Sequence, residues 1–450
     1  MKTNRNNSRT ARCLLLAGLL FTTVSTAAQR FDRYFEDRTL RLDYILTGDS
    51  GSTDISLKEM LSMPHWAGRK SRLAETFLNS NAQITVCDAA TDSLLYVNTF
   101  ATLFQEWQNT AEATKVKRAF ELSCLVPYPK QAVDVTVELT DSYRRPKARL
   151  THRVEPSDIQ IRPVPARGYE QRYIRKSGNI TDCVDIVIVS EGYTADETEK
   201  FFDDCRRADE ALFSHEPFTA MQQRFNVLAV AVPAEDSGAS VPRLGQWKRT
   251  TTGTRYDTFY IDRYLMTDRM HTLYDLLGEA PFEHIIVLVN TNRYGGGGIY
   301  NSITVATADH ATFKPVLVHE FGHAYGGLGD EYDYGDDPIS GYHAGIEPWE
   351  PNLTTLADFD SKWADLMPKG TPVPTPPADI PDYRKASTEA ERKLINEATQ
   401  RVGVFEGGGY QTHGVYRPAQ ECRMKINQVD YFCPVCARAI RRITDFYTAH

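Results

Sequence analysis

The stretch from Val316 to Tyr332, Val-Leu-Val-His319-Glu320-Phe-Gly-His323-Ala-Tyr-Gly326-Gly327-Leu-Gly-Asp330-Glu331-Tyr332, constrains the chain more than any other. An apolar run leads directly into His-Glu-x-x-His. Residues four apart on a helix share a face, so His319 and His323 can turn both imidazoles onto one Zn²⁺. Glu320, one step round the same turn, can take a proton from a water attacking a carbonyl and later return it to the leaving amine. Gly326 and Gly327 are poor helix continuers, so the helix is expected to stop there and the chain to double back. Asp330, close behind that turn, is the expected third ligand. Glu331 is the alternative, and Tyr332 is expected to pack beside the site.

Other motifs accompany this one: Val184-Asp-Ile-Val-Ile-Val-Ser-Glu-Gly-Tyr-Thr194, Gly414-Val-Tyr-Arg-Pro418, Cys422-Arg-Met424 and Phe432-Cys-Pro-Val-Cys436. Together with the His-Glu-x-x-His stretch they resemble the bacterial metallopeptidase family named for its IgA-cleaving member. The resemblance spans residues 180–446, and the segment before it is similar to that family's N-terminal β-domain. It implies a metzincin-like zinc endopeptidase with one catalytic ion; the IgA substrate belongs to one member and is not carried over. The metzincin pattern would place its last ligand at position 329, where this chain has Gly329, so the match is one residue out of register. The resemblance further implies that Met424 lies in a tight turn beneath the metal site and supports the histidines by packing. It also puts a substrate-binding edge strand at Ile299, Tyr300, Asn301 and Ser302, just after Gly295–Gly298. An unpaired edge there could hold an extended peptide by backbone hydrogen bonds. A glycine-rich surface loop followed by a core strand is the alternative reading. Tyr416 is a candidate donor to the oxyanion or contact to the resting metal.

The rest of the chain sets the context. A net charge of -8 argues against nucleic acid or an anionic membrane as partner, and the resemblance implies protein or peptide substrates, glycoproteins included. Lys2, Arg5, Arg9 and Arg12 precede an apolar run from Cys13 to Val24 and then Ser-Thr-Ala-Ala, the layout of a signal peptide over residues 1–28 cleaved near Ala27 or Ala28. No later run is long enough to span a membrane, so the mature protein is expected to be exported. Seven cysteines follow the cleavage site, and export makes disulfides their default. A bond from Cys422 to Cys433 or Cys436 is favoured, pinning the methionine turn to a C-terminal helix over Pro434–Tyr447. A structural zinc site at these three cysteines would need a fourth ligand with no evident source in the sequence.

Residues 29–160 carry short alternating runs, among them Ala82–Cys87, Ser93–Asn98, Ala119–Leu125, Ala132–Leu139 and Arg149–Val154, which predict an antiparallel β-sandwich. This domain is either a folding partner for the enzyme or a module that binds glycan or protein. The Pro- and Gly-rich stretch at 161–180 reads as a linker. Over 181–450 strands alternate with helices, giving an α/β (α+β) catalytic domain. A long irregular segment from Asp333 to Gly414, interrupted by a helix over Ala386–Arg401, is expected to wall one side of the cleft. Besides endopeptidase action, the sequence admits an exopeptidase or amidase, and a non-catalytic adhesion or glycan-binding protein on a metal-site fold. The paired presence of Glu320 and a full ligand set counts against the last.

Overall fold

In Val133-Asp-Val-Thr-Val-Glu-Leu-Thr140 every second side chain is buried, and this period of two builds the first part of the molecule. The computed structural model describes residues 31–333 and 341–448. The expected signal peptide and residues 334–340 of the irregular segment lie outside the described residues. The N-terminal strands are β1 (Phe35–Gly48), β2 (Thr53–Met63), β3 (Ala82–Asp88), β4 (Leu94–Phe100), β5 (Arg118–Pro129), β6 (Val133–Thr140), β7 (Pro146–Val154) and the short β8 (Arg162–Pro163). A helix, α1 (Leu103–Gln108), follows β4 and is capped by the Thr102 side chain. The strands form two four-stranded sheets, β5-β1-β2-β8 and β4-β3-β6-β7. Leu40, Leu42 and Tyr44 from one sheet meet Ile84, Val86, Val135 and Val137 from the other in a single core.

Alternation alone did not predict β1 and β2. In β1 a buried ion pair breaks the pattern: Arg41 and Asp43 are as enclosed as their apolar neighbours. Arg41 Nε donates to Asp43 Oδ1 at 2.8 Å and its Nη1 to Asp275 Oδ1 at 2.7 Å, so this guanidinium ties the β region to the chain that follows. The stretch expected as a linker is also structured. It supplies β8 to an N-terminal sheet and β9 (Glu170–Arg175) to the edge of the next one.

That next sheet has six strands in the order β13-β14-β12-β10-β11-β9, with β10 (Val184–Glu191), β11 (Phe225–Ala231), β12 (His284–Val289), β13 (Gly296–Ile299) and β14 (Ile303–Thr307). The four central strands run parallel, and β13 and β9 are antiparallel edges. Parallel strands are covered on both faces, which is why β10, β11 and β12 are buried at every position and are mostly apolar, with Asp185 and Asn226 among the buried polar exceptions. Ile186 and Ile188 face a core shared with α2 (Thr198–Phe213), α4 (Phe313–Ala324) and α6 (Pro434–Thr448). Val187 and Val189 face the other way, onto α3 (Met270–Leu276) and onto Leu61 and Met63 of β2. The C-terminal part adds α5 (Glu389–Thr399) and a hairpin of β15 (Phe405–Gly408) and β16 (Gln411–Arg417). The architecture is mixed α/β with an N-terminal β region. Among the described residues no helix is long and apolar enough to cross a membrane.

Asp185, near the start of β10, gives a measurable pH dependence. Burial pushes its carboxyl up to about 7 despite a 3.0 Å hydrogen bond from Asn226 Nδ2, and its Oδ2 has no partner. The folded state therefore keeps a proton that the unfolded chain releases above its lower pKa, and stability falls as pH rises through that interval. Asp185→Asn should remove this fall. In urea titrations the variant's stability relative to wild type should be near zero at about pH 4 and grow to a few kcal/mol, order of magnitude, by about pH 8. A difference that stays flat or shrinks would contradict the assignment.

Candidate metal centre

Helix α4 leaves β14 through a short turn and carries Pro315 in its first turn, where the missing N–H costs little. Its buried face presents Leu317, Val318 and Phe321 to the core, while His319, Glu320 and His323 lie half-buried on the other face. The helix then stops as its glycines require. Gly327 adopts a φ of +63°, its N–H donates to His323 O at 3.0 Å, and Leu328 N–H reaches back to Gly322 O at 3.2 Å. This is the reversal in which a left-handed residue just past the helix satisfies its last carbonyls.

The reversal orients a ligand as well as ending a helix. Leu328 O lies 2.6 Å from His323 Nδ1, and Arg423 O lies 3.0 Å from His319 Nδ1. With each Nδ1 proton given to a carbonyl, both Nε2 lone pairs face a common point. Asn352 holds the next residue on two sides: its Oδ1 accepts from Gly329 N at 2.7 Å and its Nδ2 donates to Gly329 O at 2.9 Å. Asp330 is thereby delivered to the imidazoles, its Oδ1 standing 3.1 Å from His319 Nε2 and 3.2 Å from His323 Nε2. The two Nε2 atoms are themselves 3.1 Å apart.

Three donor atoms thus form a nearly equilateral triangle. Ligand atoms around a tetrahedral Zn²⁺ with bonds of about 2.0–2.1 Å stand about 3.3–3.4 Å apart, so the triangle is close to the size such an ion needs. The electrostatics point the same way. Asp330 Oδ1 is buried with no hydrogen bond. Although burial opposes it, the charges of His323 and His319 hold the Asp330 carboxyl well below its usual range. Burial also pulls His323 down, yet Asp330 outweighs it and His323 is pushed up to about 9. The cluster is therefore a place where positive charge is stabilised, and the donor set fits a small divalent cation.

Glu320 flanks the triangle, with a carboxylate oxygen and a ring nitrogen of each histidine within 4.8 Å of one another. Burial raises its pKa, against the opposing charges of His319 and His323. Strand β13 crosses directly over this face of α4. A Cβ on Gly296 would lie 3.0 Å from Glu320 Cγ, and one on Gly298 would lie 2.3 Å from Glu320 O. The glycines permit a backbone approach that no other residue allows.

The family model for IgA peptidase M64 matches residues 173–398 and 381–444, and the model for the peptidase M64 N-terminus matches residues 30–151. The chain belongs to the IgA peptidase M64 family. A comparison with curated proteins finds no match. The family is one of peptidases, so the substrate of this M64 chain is protein or peptide.

The remaining expected residues fall as follows in the M64 chain. Glu331 turns away from the imidazoles, and its Oε1 lies 3.0 Å from Cys436 Sγ. The Tyr332 ring stacks 6.4 Å from that of His319. Met424 is buried beneath α4 against Gly322, and its carbonyl accepts from Glu331 N at 2.8 Å. The edge strand is displaced from its expected position. Ile299 ends β13, but Tyr300, Asn301 and Ser302 form the turn into β14, with Asn301 at a φ of +50° and Ser302 N–H bonded to Ile299 O at 3.1 Å. The glycines read as a loop are the strand itself, because closeness to α4 demands them there. At Gly296 the outer edge is partly taken, with Leu265 N–H donating to Gly296 O at 3.2 Å. Tyr416 pairs through its backbone with Thr354, on the face of β16 opposite the buried Val415 and Arg417. The tyrosine hydroxyl that bonds to Asp330 Oδ2 belongs to Tyr410. The disulfide expected at Cys422 is not formed: all seven described cysteines are free, and Cys422 Sγ is 3.9 Å from Cys436 Sγ, about twice a disulfide bond.

Sequence reasoning missed Tyr410, Asn352, Glu106 and Arg263. Tyr410 follows Gly407-Gly-Gly409, and that second glycine cluster was a usable signal of close backbone approach; Gly409 N–H indeed bonds to Asp330 O at 2.8 Å. Glu106 comes from α1 in the N-terminal β region and accepts from Tyr264 Oη. Burial pushes its carboxyl up to about 7, and it lies near enough to His323, Asp330 and Glu320 to feel their charge. Arg263 acts electrostatically on Glu320 and lies over the Tyr332 ring. No local pattern marks Asn352, Glu106 or Arg263.

The glycine crossing gives a direct test. Gly298→Ala forces β13 away from the Glu320 carbonyl, so peptidase activity should fall at least about tenfold while the chain remains folded by circular dichroism. Unchanged activity in a folded variant would mean that the approach of β13 to α4 is not needed.

Proposed function

We propose that this chain is an exported, zinc-dependent endopeptidase with a metzincin-like catalytic domain, hydrolysing internal bonds of protein substrates. The observation that carries the proposal is the triangle of His319, His323 and Asp330 donor atoms with a carboxylate beside it. A Zn²⁺ bound there would polarise the scissile carbonyl and make an attacking water more acidic. The protein's own groups supply the rest. Glu320, raised by burial, takes the proton of the attacking water and passes it to the leaving amine. Tyr410 holds Asp330 through Oδ2, leaving Oδ1 turned to the imidazoles. The outer edge of β13, partly taken at Gly296, is where an extended substrate would align by backbone hydrogen bonds.

The N-terminal β region is best read as a domain that completes this enzyme. Ala101 N–H donates to Tyr300 O at 3.0 Å and Asn301 Nδ2 to Thr99 O at 2.8 Å, so it braces the turn after β13. The domain limits we favour are 29–160 for this region and 181–450 for the catalytic part, and β9, from the segment between them, pairs with the catalytic sheet.

Glu320→Ala should retain bound metal yet lose about 10²–10⁴ of its kcat on an internally quenched peptide blocked at both ends. Wild type should cleave that peptide and lose activity to a chelator. Cleavage of free-ended peptides alone would make the enzyme an exopeptidase, and turnover retained by Glu320→Ala would remove Glu320 from its role.

A further inference from the structure

A second cluster lies behind the first. Cys422, Cys433, Cys436 and Glu331 are all fully enclosed, and one ligand atom from each lies within 4.8 Å of the others. Core cysteines are common, but this group has features that plain packing does not explain. Glu331 Oε1 accepts from Asn352 Nδ2 at 2.9 Å, while its Oε2 is buried with no hydrogen-bond partner. An enclosed carboxylate oxygen left unsatisfied beside three sulfurs is costly unless a cation sits among them. Two of the sulfurs also accept backbone N–H groups, as metal-bound thiolates do. Cys433 N–H points to Cys422 Sγ at 3.2 Å, Cys436 N–H points to Cys433 Sγ at 3.5 Å, and Met424 N–H also bonds to Cys422. Cys433-Pro-Val-Cys436 leads into the start of α6, the short spacing that lets two sulfurs share one ion.

We propose that Glu331, Cys422, Cys433 and Cys436 bind a second, structural divalent cation of the thiophilic, zinc-like class. Four-coordinate thiolate zinc has bonds of about 2.3 Å, which puts neighbouring sulfurs about 3.8 Å apart. The Cys422–Cys436 separation is 3.9 Å. Glu331 is the fourth ligand that the cysteine spacing by itself does not provide. Arg417 and Lys425 act electrostatically on Glu331 and offset the excess negative charge of three thiolates and a carboxylate around a divalent ion.

The position of this cation gives it a use. Glu331 follows Asp330 directly, and Cys422 is two residues before Met424. The cation joins the loop that carries Asp330, the turn under α4 and the start of α6 into one unit. It is a structural clamp on the candidate metal centre, and it stands whether or not that centre catalyses peptide hydrolysis.

Elemental analysis of the full chain tests it, using His319→Ala/His323→Ala to empty the first site. Wild type should carry two metal equivalents and the double variant one. Loading that double variant with Co²⁺ should give the intense near-ultraviolet sulfur-to-cobalt absorption, which a site of two histidines and an aspartate cannot produce. Adding Cys436→Ser to the double variant should abolish the band. On unmodified protein, where no variant can misfold, full loading with Co²⁺ should give the same thiolate band. A double variant without metal, a cobalt complex lacking the thiolate band, or a disulfide among the three cysteines in the isolated protein would each overturn the proposal. None of these readouts depends on peptidase activity, so they separate this claim from the assignment of Glu320.

Discussion

Two imidazoles on one helix face cannot enclose a cation by themselves, so the chain must reverse tightly to bring a third group back to them. Everything around α4 serves that reversal. Gly327 takes the left-handed conformation, Leu328 O fixes one imidazole, Asn352 grips both sides of Gly329, and Asp330 arrives between the two Nε2 atoms. A carboxylate so enclosed would be strongly disfavoured without opposing charge. His323, pushed up beside Asp330, supplies such charge.

Layers behind the reversal give it rigidity. Arg423 O and Met424 O bond to opposite arms of the turn, one to His319 Nδ1 and the other to Glu331 N. The tip of the β15–β16 hairpin adds Gly409 N–H to Asp330 O and Tyr410 N–H to Tyr332 O, both backbone bonds of 3.0 Å or less. Orientation by neighbours of the ligands, rather than by the ligands alone, is how protein metal sites hold their geometry.

What the sequence made legible was local. His319, Glu320 and His323 follow from helical spacing, the helix stop follows from two glycines, and Asp330 follows from its nearness to that stop. The parallel strands were plain because buried strands read as apolar runs. What escaped was set by distance along the chain or by glycine's double meaning. Asn352 is 23 residues from the backbone it grips, with nothing beside it in sequence to mark it. Gly296–Ile299 looks like a loop to any rule that treats glycine as a breaker, although here the residue is chosen for the absence of a side chain. Strand β1 was hidden by Arg41 and Asp43, charged residues whose burial makes sense only once Asp275 is brought beside them. The sulfur cluster reads as a disulfide from sequence because export makes disulfides the default and no fourth ligand stands near the three cysteines in the chain.

The bond from Ala101 to the turn at Tyr300, together with the reach of Arg41 to Asp275, has a mechanical result. The same hairpin that lays the glycine ribbon across Glu320 hangs from the N-terminal sheets. A tilt of those sheets would carry the ribbon with it and change the clearance above Glu320.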